Sequence, residues 1–138
     1  MSLFNIFDVA GSGMSAQSIR LNTVASNLSN ADNLSSTEKD AYRAKEPVFQ
    51  AIYGAARGEG NNTYGVRVTS IKESSAPVQA RYMPDNPQAD ANGYVYGSNV
   101  NPIEEMVNMI SASRSYQSNV EVMNTSKQLL LKTLTLGD

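Results

Sequence analysis

The last third of the chain carries the longest uninterrupted helical pattern. Between Asn101 and Gly137, mostly apolar residues recur at spacings of three, four and seven, at positions 106, 110, 113, 116, 120, 123, 130 and 134, and these spacings place them on one face of a helix. Asn101 is a favourable N-cap, Pro102 suits the first helical position, and Gly137 supplies a C-terminal stop. The pattern predicts one helix of about 35 residues that spans about 50 Å.

A second helical pattern occupies the start of the chain. Positions 3, 7, 10, 14, 17, 21, 24, 28 and 31 alternate spacings of four and three, which is a heptad seam about four repeats long. Gly11, Ser12 and Gly13 weaken this pattern, because each glycine costs about 1 kcal/mol inside a helix. The alternative interpretation is a helix that begins only after Gly13.

The other faces of this N-terminal segment are polar but almost uncharged. Asp8 and Arg20 are the charged residues among the first 31, and serine, threonine and asparagine fill the remaining outer positions. A solvated helix normally displays Glu and Lys there, whereas small uncharged polar side chains let other helices approach closely. The composition favours a helix surrounded by neighbours in an assembly. The alternative is a segment that is weakly stable and partly disordered on its own.

The middle of the chain changes from helical to β-type patterns. Residues 32–47 lose the periodicity and are typical of a loop that crosses to the next element. Val48–Tyr53 and Val66–Ile71 flank a cluster of glycine and asparagine, which predicts a hairpin. Ala76–Met83 and Tyr94–Tyr96 predict two more short strands. Most charged residues of the chain lie in this middle section, which therefore faces water or a polar partner.

Composition removes several classes of function. With 11 basic and 13 acidic residues the net charge is −2, so the chain has no basic field for nucleic acid or an anionic membrane. No apolar run is long enough for a transmembrane helix, and the N-terminus lacks the pattern of a cleaved signal peptide. The absence of cysteine and histidine removes most nucleophiles, general bases and zinc ligands. We therefore expect no cofactor, no metal and no catalysis, and an enzyme is a remote alternative.

Three segments, in the same order, resemble bacterial flagellar rod and hook proteins. LNTVASNLSNAD at residues 21–32 is similar to their Asn-rich segment, DNPQADANGYVYGSNVNP at residues 85–102 resembles their turn-rich lead, and residues 101–137 resemble their C-terminal helix. The short length and the lack of a large middle insertion point to a proximal rod subunit. The chain departs from these relatives at two places. After the Asn-rich segment it continues as NLSSTEKDAYRAK, where many relatives have Pro-Gly-Phe or Pro-Gly-Tyr. Before Asn99 it has Ser98, where a proline is common.

The resemblance implies an α+β fold in which long N- and C-terminal helices pair as a coiled coil. Residues 1–31 and 101–138 would form this axial core, residues 32–47 the crossing loop, and residues 48–100 a small β-rich outer domain. The implied function is a structural subunit of the proximal rod that transmits torque across the periplasm. Alternatives are another subunit of the rod and hook family, or a soluble helical-hairpin adaptor that works as a discrete oligomer.

The resemblance also implies partners and contact residues. The expected partners are other rod subunits, the MS-ring or rod-base adaptor, and the type III export apparatus, which would export the chain without a cleaved signal peptide. Neither nucleic acid binding nor membrane insertion is expected, and the chain would be oligomeric in the assembled rod. The expected assembly interface consists of residues on both helices: Leu21, Val24, Asn27, Leu28, Asn30, Met106, Ile110, Tyr116, Val120, Met123, Leu130 and Leu134.

Overall fold

The computed structural model describes residues 3–53 and 64–135, with residues 3 and 4 described by their backbone alone. In chain order the elements are α1 (Leu3–Ser29), β1 (Leu34–Ser35), β2 (Lys45–Tyr53), β3 (Tyr64–Glu73), β4 (Gln79–Tyr82), β5 (Tyr94–Gly97) and α2 (Pro102–Thr135). The fold is α+β, with one helix from each end of the chain and two small antiparallel sheets between them. The expected hairpin tip, including residues 58–60, and the stop at Gly137 lie outside the described residues.

Helix α1 runs through the glycine pair without a break. The interpretation that the helix begins after Gly13 is therefore wrong. Gly13 faces α2, and a Cβ atom placed there would come within 2.9 Å of the side-chain nitrogen of Asn119. The weak helix propensity of glycine is thus offset by packing that a larger residue would push apart.

Helix α2 begins as the sequence predicts. The side-chain oxygen of Asn101 accepts hydrogen bonds from the backbone N–H groups of Ile103 at 3.1 Å and Glu104 at 3.5 Å, which confirms the N-cap. The described helix holds 34 residues and spans about 51 Å at 1.5 Å rise per residue. The two acidic residues of its first turn favour the helix dipole.

The two helices pack against each other in opposite directions. Asn27, near the end of α1, contacts Glu105 in the first turns of α2, while Gly13 faces Asn119, further along α2. Between these points Arg20 donates a hydrogen bond to the side-chain oxygen of Asn108 at 3.1 Å. The start and the end of the chain are therefore joined along much of the length of α1.

Strands β2 and β3 form the predicted hairpin, and it lies against α1. The pair is antiparallel from Lys45↔Glu73 to Tyr53↔Tyr64, so β2 starts three residues earlier than expected. The Ser12 hydroxyl accepts a hydrogen bond from the backbone N–H of Val66 at 3.1 Å and donates one to the Val9 carbonyl at 2.9 Å. A side chain at Gly65 would collide with this hydroxyl, which explains the close approach of strand and helix.

A separate three-stranded sheet has the order β1-β5-β4. Leu34 and Gln79 both pair with Gly97, from opposite sides of β5. The two later strands confirm the prediction, whereas β1 lies inside the segment expected to be a plain crossing loop. A strand of two residues is too short to show the alternation of apolar and polar positions from which a strand is predicted.

Small side chains dominate the core of the subunit. The buried apolar residues are alanine and valine: Ala10, Ala16, Val24, Ala41, Ala44, Val95, Val100 and Ala112. The accessible surface is 9585 Å², whereas a compact monomer of 14.9 kDa would expose about 7,000 Å². The subunit therefore exposes about 2,600 Å² more than a compact globule of its mass would.

Candidate assembly interface

A buried asparagine joins both helices to the hairpin. The Asn27 side chain is 1% exposed, and its nitrogen donates hydrogen bonds to the carboxylate of Glu105 at 3.0 Å and to the Lys45 carbonyl at 2.9 Å. Its oxygen accepts hydrogen bonds from the Lys45 backbone N–H at 2.8 Å and from the Tyr42 hydroxyl at 3.0 Å. Asn27 thereby meets its full hydrogen-bonding capacity and fixes α1, β2 and α2 relative to one another.

Asn99 makes a comparable junction at the entrance to α2. Its side-chain oxygen accepts a hydrogen bond from the Ala44 backbone N–H at 2.7 Å, and its nitrogen donates one to the Ala76 carbonyl at 2.9 Å. The adjacent Ser98 is buried, and its hydroxyl accepts a hydrogen bond from the Val100 N–H at 3.0 Å. At this position the serine hydroxyl accepts a hydrogen bond from the backbone, which a proline side chain could not do.

The expected interface residues of α1 lie inside or at the edge of the subunit. Val24 and Asn27 are buried, and Leu21, Leu28 and Asn30 are half-buried. Asn30 also donates a hydrogen bond from its side chain to the Ser26 carbonyl at 2.8 Å within the same helix. In the single subunit, this face of α1 is used mainly for contacts within the chain.

The expected residues of α2 separate into two groups. Tyr116, Val120, Met123 and Leu130 are half-buried, while Met106, Ile110 and Leu134 are exposed. The buried positions of α2 are 105, 112 and 126, which are separated by multiples of seven and occupied by Glu, Ala and Ser. Because these residues are polar or small, an apolar pattern could not reveal that they form the inward face.

The first half of α2 presents an apolar strip to solvent. This strip, here called the α2 apolar strip, consists of Ile103, Met106, Val107 and Ile110, whose exposed fractions are 74%, 52%, 62% and 56%. Their spacing places them side by side on one face of the helix. Two of the four, Ile103 and Val107, were missed because they lie beside the single seam that the sequence pattern follows.

Helix α1 also has an exposed face, and it differs in character. Apart from Asp8, the exposed side chains of this face are small and uncharged: Ser15, Ser18, Asn22, Ala25 and Ser29. This arrangement agrees with the composition seen in the sequence. Some of the other polar residues of α1, such as Ser12 and Asn27, instead serve contacts within the subunit.

The turn before β5 is the site of the clearest electrostatic perturbations. The carboxylate of Asp90 accepts hydrogen bonds from the backbone N–H groups of Tyr94 at 2.9 Å and Asn92 at 2.8 Å. These bonds, that from Tyr94 above all, lower the pKa of Asp90 below its ordinary value. Desolvation, followed by the charge of Asp90, raises the pKa of the Tyr96 hydroxyl.

Within residues 3–53 and 64–135, no group of three or more Asp or Glu residues comes together in a way that could hold a metal ion. Neither helix is long and apolar enough, over its described residues, to cross a membrane.

Comparison with known proteins places both helices within flagellar families. The model described as "Flagella basal body rod protein" matches residues 7–32, and the model described as "Flagellar basal body rod FlgEFG protein C-terminal" matches residues 91–136. These two segments contain most of α1 and α2, respectively. The matched regions are therefore the two ends of the chain that pack together.

Similar proteins extend over the whole chain. A protein of Salmonella typhimurium is 57% identical over 99% of each chain, and one of Escherichia coli O6:H1 is 56% identical over 99% of each chain. A protein of Buchnera aphidicola subsp. Acyrthosiphon pisum is 44% identical over both chains in full. Each of the three is named flagellar basal-body rod protein FlgC, a structural name and not that of an enzyme.

Proposed function

Because the chain belongs to the FlgC family of flagellar basal-body rod proteins and is a structural subunit of that rod, we propose that its paired helices build the wall of the proximal rod. Membership of the family places the chain in the basal body and implies assembly with other rod components. The proposal adds that copies of this chain and of related rod subunits stack through their helices and carry torque across the periplasm. A soluble helical-hairpin adaptor is no longer needed to explain the sequence.

The α2 apolar strip is the observation that carries this proposal. Four large apolar side chains, each more than half exposed, lie together on a helix that already packs against α1 on another face. Burying one such side chain stabilises a complex by about 1.5–3 kcal/mol. A surface of this kind on a rod subunit is best explained as the contact to a neighbouring subunit.

The expected interface residues take two roles under this proposal. Met106, Ile110 and Leu134 contact neighbouring subunits directly, since they are exposed in the single chain. The remaining residues, which are buried or half-buried, hold α1 and α2 together and so shape the surface that neighbours meet. The pairing of the two helices as a coiled coil is part of the proposal, and their antiparallel packing supports it.

The proposal also covers the outer part of the subunit and its partners. The hairpin and the three-stranded sheet, which lie in the middle section where most of the charged residues are found, would form the outward-facing domain. The MS-ring or rod-base adaptor would lie at one end of the rod. The type III apparatus would export the chain unfolded and without cleavage, and the absence of cysteine is compatible with such a route.

A charge-insertion pair tests the assembly role. Ile110→Glu places a charge on the α2 apolar strip, and Ser111→Glu places the same charge on the neighbouring exposed position, which points in a different direction. We expect Ile110→Glu to be folded and exported but absent from purified basal bodies, with loss of swimming. The control Ser111→Glu should swim much better.

Circular dichroism and the exported fraction are measured for both variants to separate folding and export from assembly. Normal incorporation and normal swimming of Ile110→Glu would contradict the proposed role of the α2 apolar strip. Equal loss for both variants would show that the defect does not depend on this face of the helix, and it would contradict the proposal as well.

A further inference from the structure

One dipeptide in the chain can undergo a chemical reaction, deamidation, that has no part in the rod function. Asn92–Gly93 is the only Asn-Gly pair in the sequence, and Asn92 is exposed. In such a pair the backbone nitrogen of the glycine can approach the side-chain carbonyl carbon of the asparagine, because glycine has no side chain in the way and the widest choice of backbone angles. Asparagine is for this reason a labile residue.

The reaction needs only water. The Gly93 nitrogen loses its proton and attacks Cγ of Asn92, a C–N bond forms, and the side-chain nitrogen leaves as ammonia after taking up a proton. The resulting succinimide ring is then opened by one water molecule at either carbonyl. The net change is one asparagine and one water converted to ammonia and either aspartate or isoaspartate, in which the backbone runs through the former side chain.

In the folded turn, both backbone groups of Gly93 are occupied. Its N–H donates a hydrogen bond to the Asp90 carbonyl at 3.0 Å, and its carbonyl accepts one from the Met83 N–H at 2.9 Å. Attack on Asn92 requires the first of these bonds to break. It also requires the peptide to rotate, and the second bond opposes that rotation.

Charge and packing oppose the reaction in the same place. The Asp90 carboxylate is held by the backbone N–H groups of Asn92 and Tyr94, which flank Gly93 on both sides. A negative charge that developed on the Gly93 nitrogen would lie near this carboxylate, and like charges repel. Gly93 also has a φ of 81°, and a Cβ atom there would lie 2.8 Å from the Tyr82 ring, so this ring packs against the backbone that would have to rotate.

We propose that Asn92 is a deamidation site that is closed while the turn at residues 90–94 is folded and opens when the turn unfolds. Isoaspartate at position 92 would add one methylene to the backbone next to Gly93. The added length would displace Tyr94 from its pairing with Tyr82 and from the Asp90 carboxylate. A chain that remains unfolded for long therefore loses the ability to form the outer sheet, independently of how subunits assemble.

The test is a time course of the full chain at neutral pH and 37 °C, in buffer and in concentrated urea. Peptide mapping by mass spectrometry follows the change of amide to acid at Asn92 and separates aspartate from isoaspartate by retention. We expect the folded chain to react at least about tenfold more slowly than the unfolded chain, as local opening of the turn would limit the rate. Equal rates would overturn the proposal.

A matched pair of variants assigns the protection to the turn. Asp90→Ala removes the carboxylate that holds the backbone on both sides of Gly93, and Asp85→Ala removes an exposed carboxylate from the same loop. In buffer, Asp90→Ala should raise the rate at Asn92 above that of the unaltered folded chain, while Asp85→Ala should leave it unchanged.

A rate for Asp90→Ala no higher than that for Asp85→Ala would overturn the assignment to this turn. Hydrogen exchange of the β2–β3 hairpin is followed in both variants. If Asp90→Ala unfolded the whole chain, the test would instead use the unaltered chain at a series of urea concentrations, comparing the rate at Asn92 with hydrogen exchange of the Gly93 amide. The rate at Asn92 should then rise with exchange of the Gly93 amide, and a rate that did not follow it would overturn the proposal.

Discussion

Replacing Asn27 by alanine should destabilise the subunit more than any other single truncation on α1. The substitution removes four hydrogen bonds at once. The Lys45 backbone N–H and carbonyl, which are half-buried, and the buried Glu105 carboxylate then each lose a partner. Tyr42 is less affected, because its hydroxyl remains within 3.2 Å of the Ser26 hydroxyl.

The size of the effect follows from the groups left without a partner. Each buried polar group that loses its hydrogen bond costs about 1–3 kcal/mol, and removing the partner of a buried carboxylate lies at the upper end of that range. Lys45 and Tyr42 are half-buried, so water can replace part of the loss. We expect Asn27→Ala to lower the free energy of unfolding by about 3–5 kcal/mol, a large share of the about 5–15 kcal/mol typical of a domain.

Urea denaturation followed by circular dichroism measures this free energy. The matched control is Asn22→Ala, the same substitution on an exposed turn of the same helix. This control should be neutral or stabilising by a few tenths of a kcal/mol, because alanine is the better helix former. If Asn27→Ala lost less than about 1 kcal/mol relative to Asn22→Ala, the claim that this asparagine joins the three elements would be refuted.

Further predictions concern the turn, the hairpin and export. Gly93→Ala should lower the free energy of unfolding by about 1–3 kcal/mol in urea titrations, because its φ is positive. Because the pKa of Asp90 is lowered in the folded chain, its carboxylate stabilises the fold above the ordinary pKa of 3.8, and this stabilisation is lost as pH falls through the lower folded value. The difference in free energy of unfolding between the unaltered chain and Asp90→Asn should therefore shrink in acid. Ser12→Ala should cost about 1 kcal/mol and speed hydrogen exchange of the Val66 amide. Deleting residues 3–9 should keep the chain in the cytoplasm at normal abundance, whereas normal export of that deletion, or a cleaved N-terminus on assembled rods, would contradict the type III route.

The sequence was most informative where one local signal decides the structure. The N-cap at Asn101, the long period of α2 and the β-rich runs of the hairpin each depend on neighbouring residues, and each appears in the structure. The glycine pair in α1 was ambiguous, because its local cost is visible in the sequence but the compensating contact with Asn119 is not. Strand β1 could not be predicted, since two residues acquire their extended pairing only from β5.

The assembly surface was harder to predict for a related reason. Sequence periodicity assigns apolar residues to the inside, yet the inward face of α2 carries Glu105, Ala112 and Ser126, while the α2 apolar strip faces outward. Asn27 was selected from the Asn-rich resemblance, but its role as a junction depends on Lys45 and Glu105, which are distant in the chain. A single sequence does not show which polar residues will find such partners.

The packing of α1 against α2 also determines when this chain can fold. Asn27 and Glu105 are separated by 78 positions, and Arg20 and Asn108 by 88, so a large part of the contacts that stabilise the first helix are made by the last one. Contacts of such long range require a large loop to close first, which slows folding. A ribosome must synthesise almost the whole chain before α1 can pack against α2. In a chain that passed through a channel N-terminus first, α1 would likewise emerge before α2. Until α2 is free, the N-terminal segment has only its weak intrinsic helix propensity and the contacts that the β2–β3 hairpin offers, so the subunit stays incompletely folded.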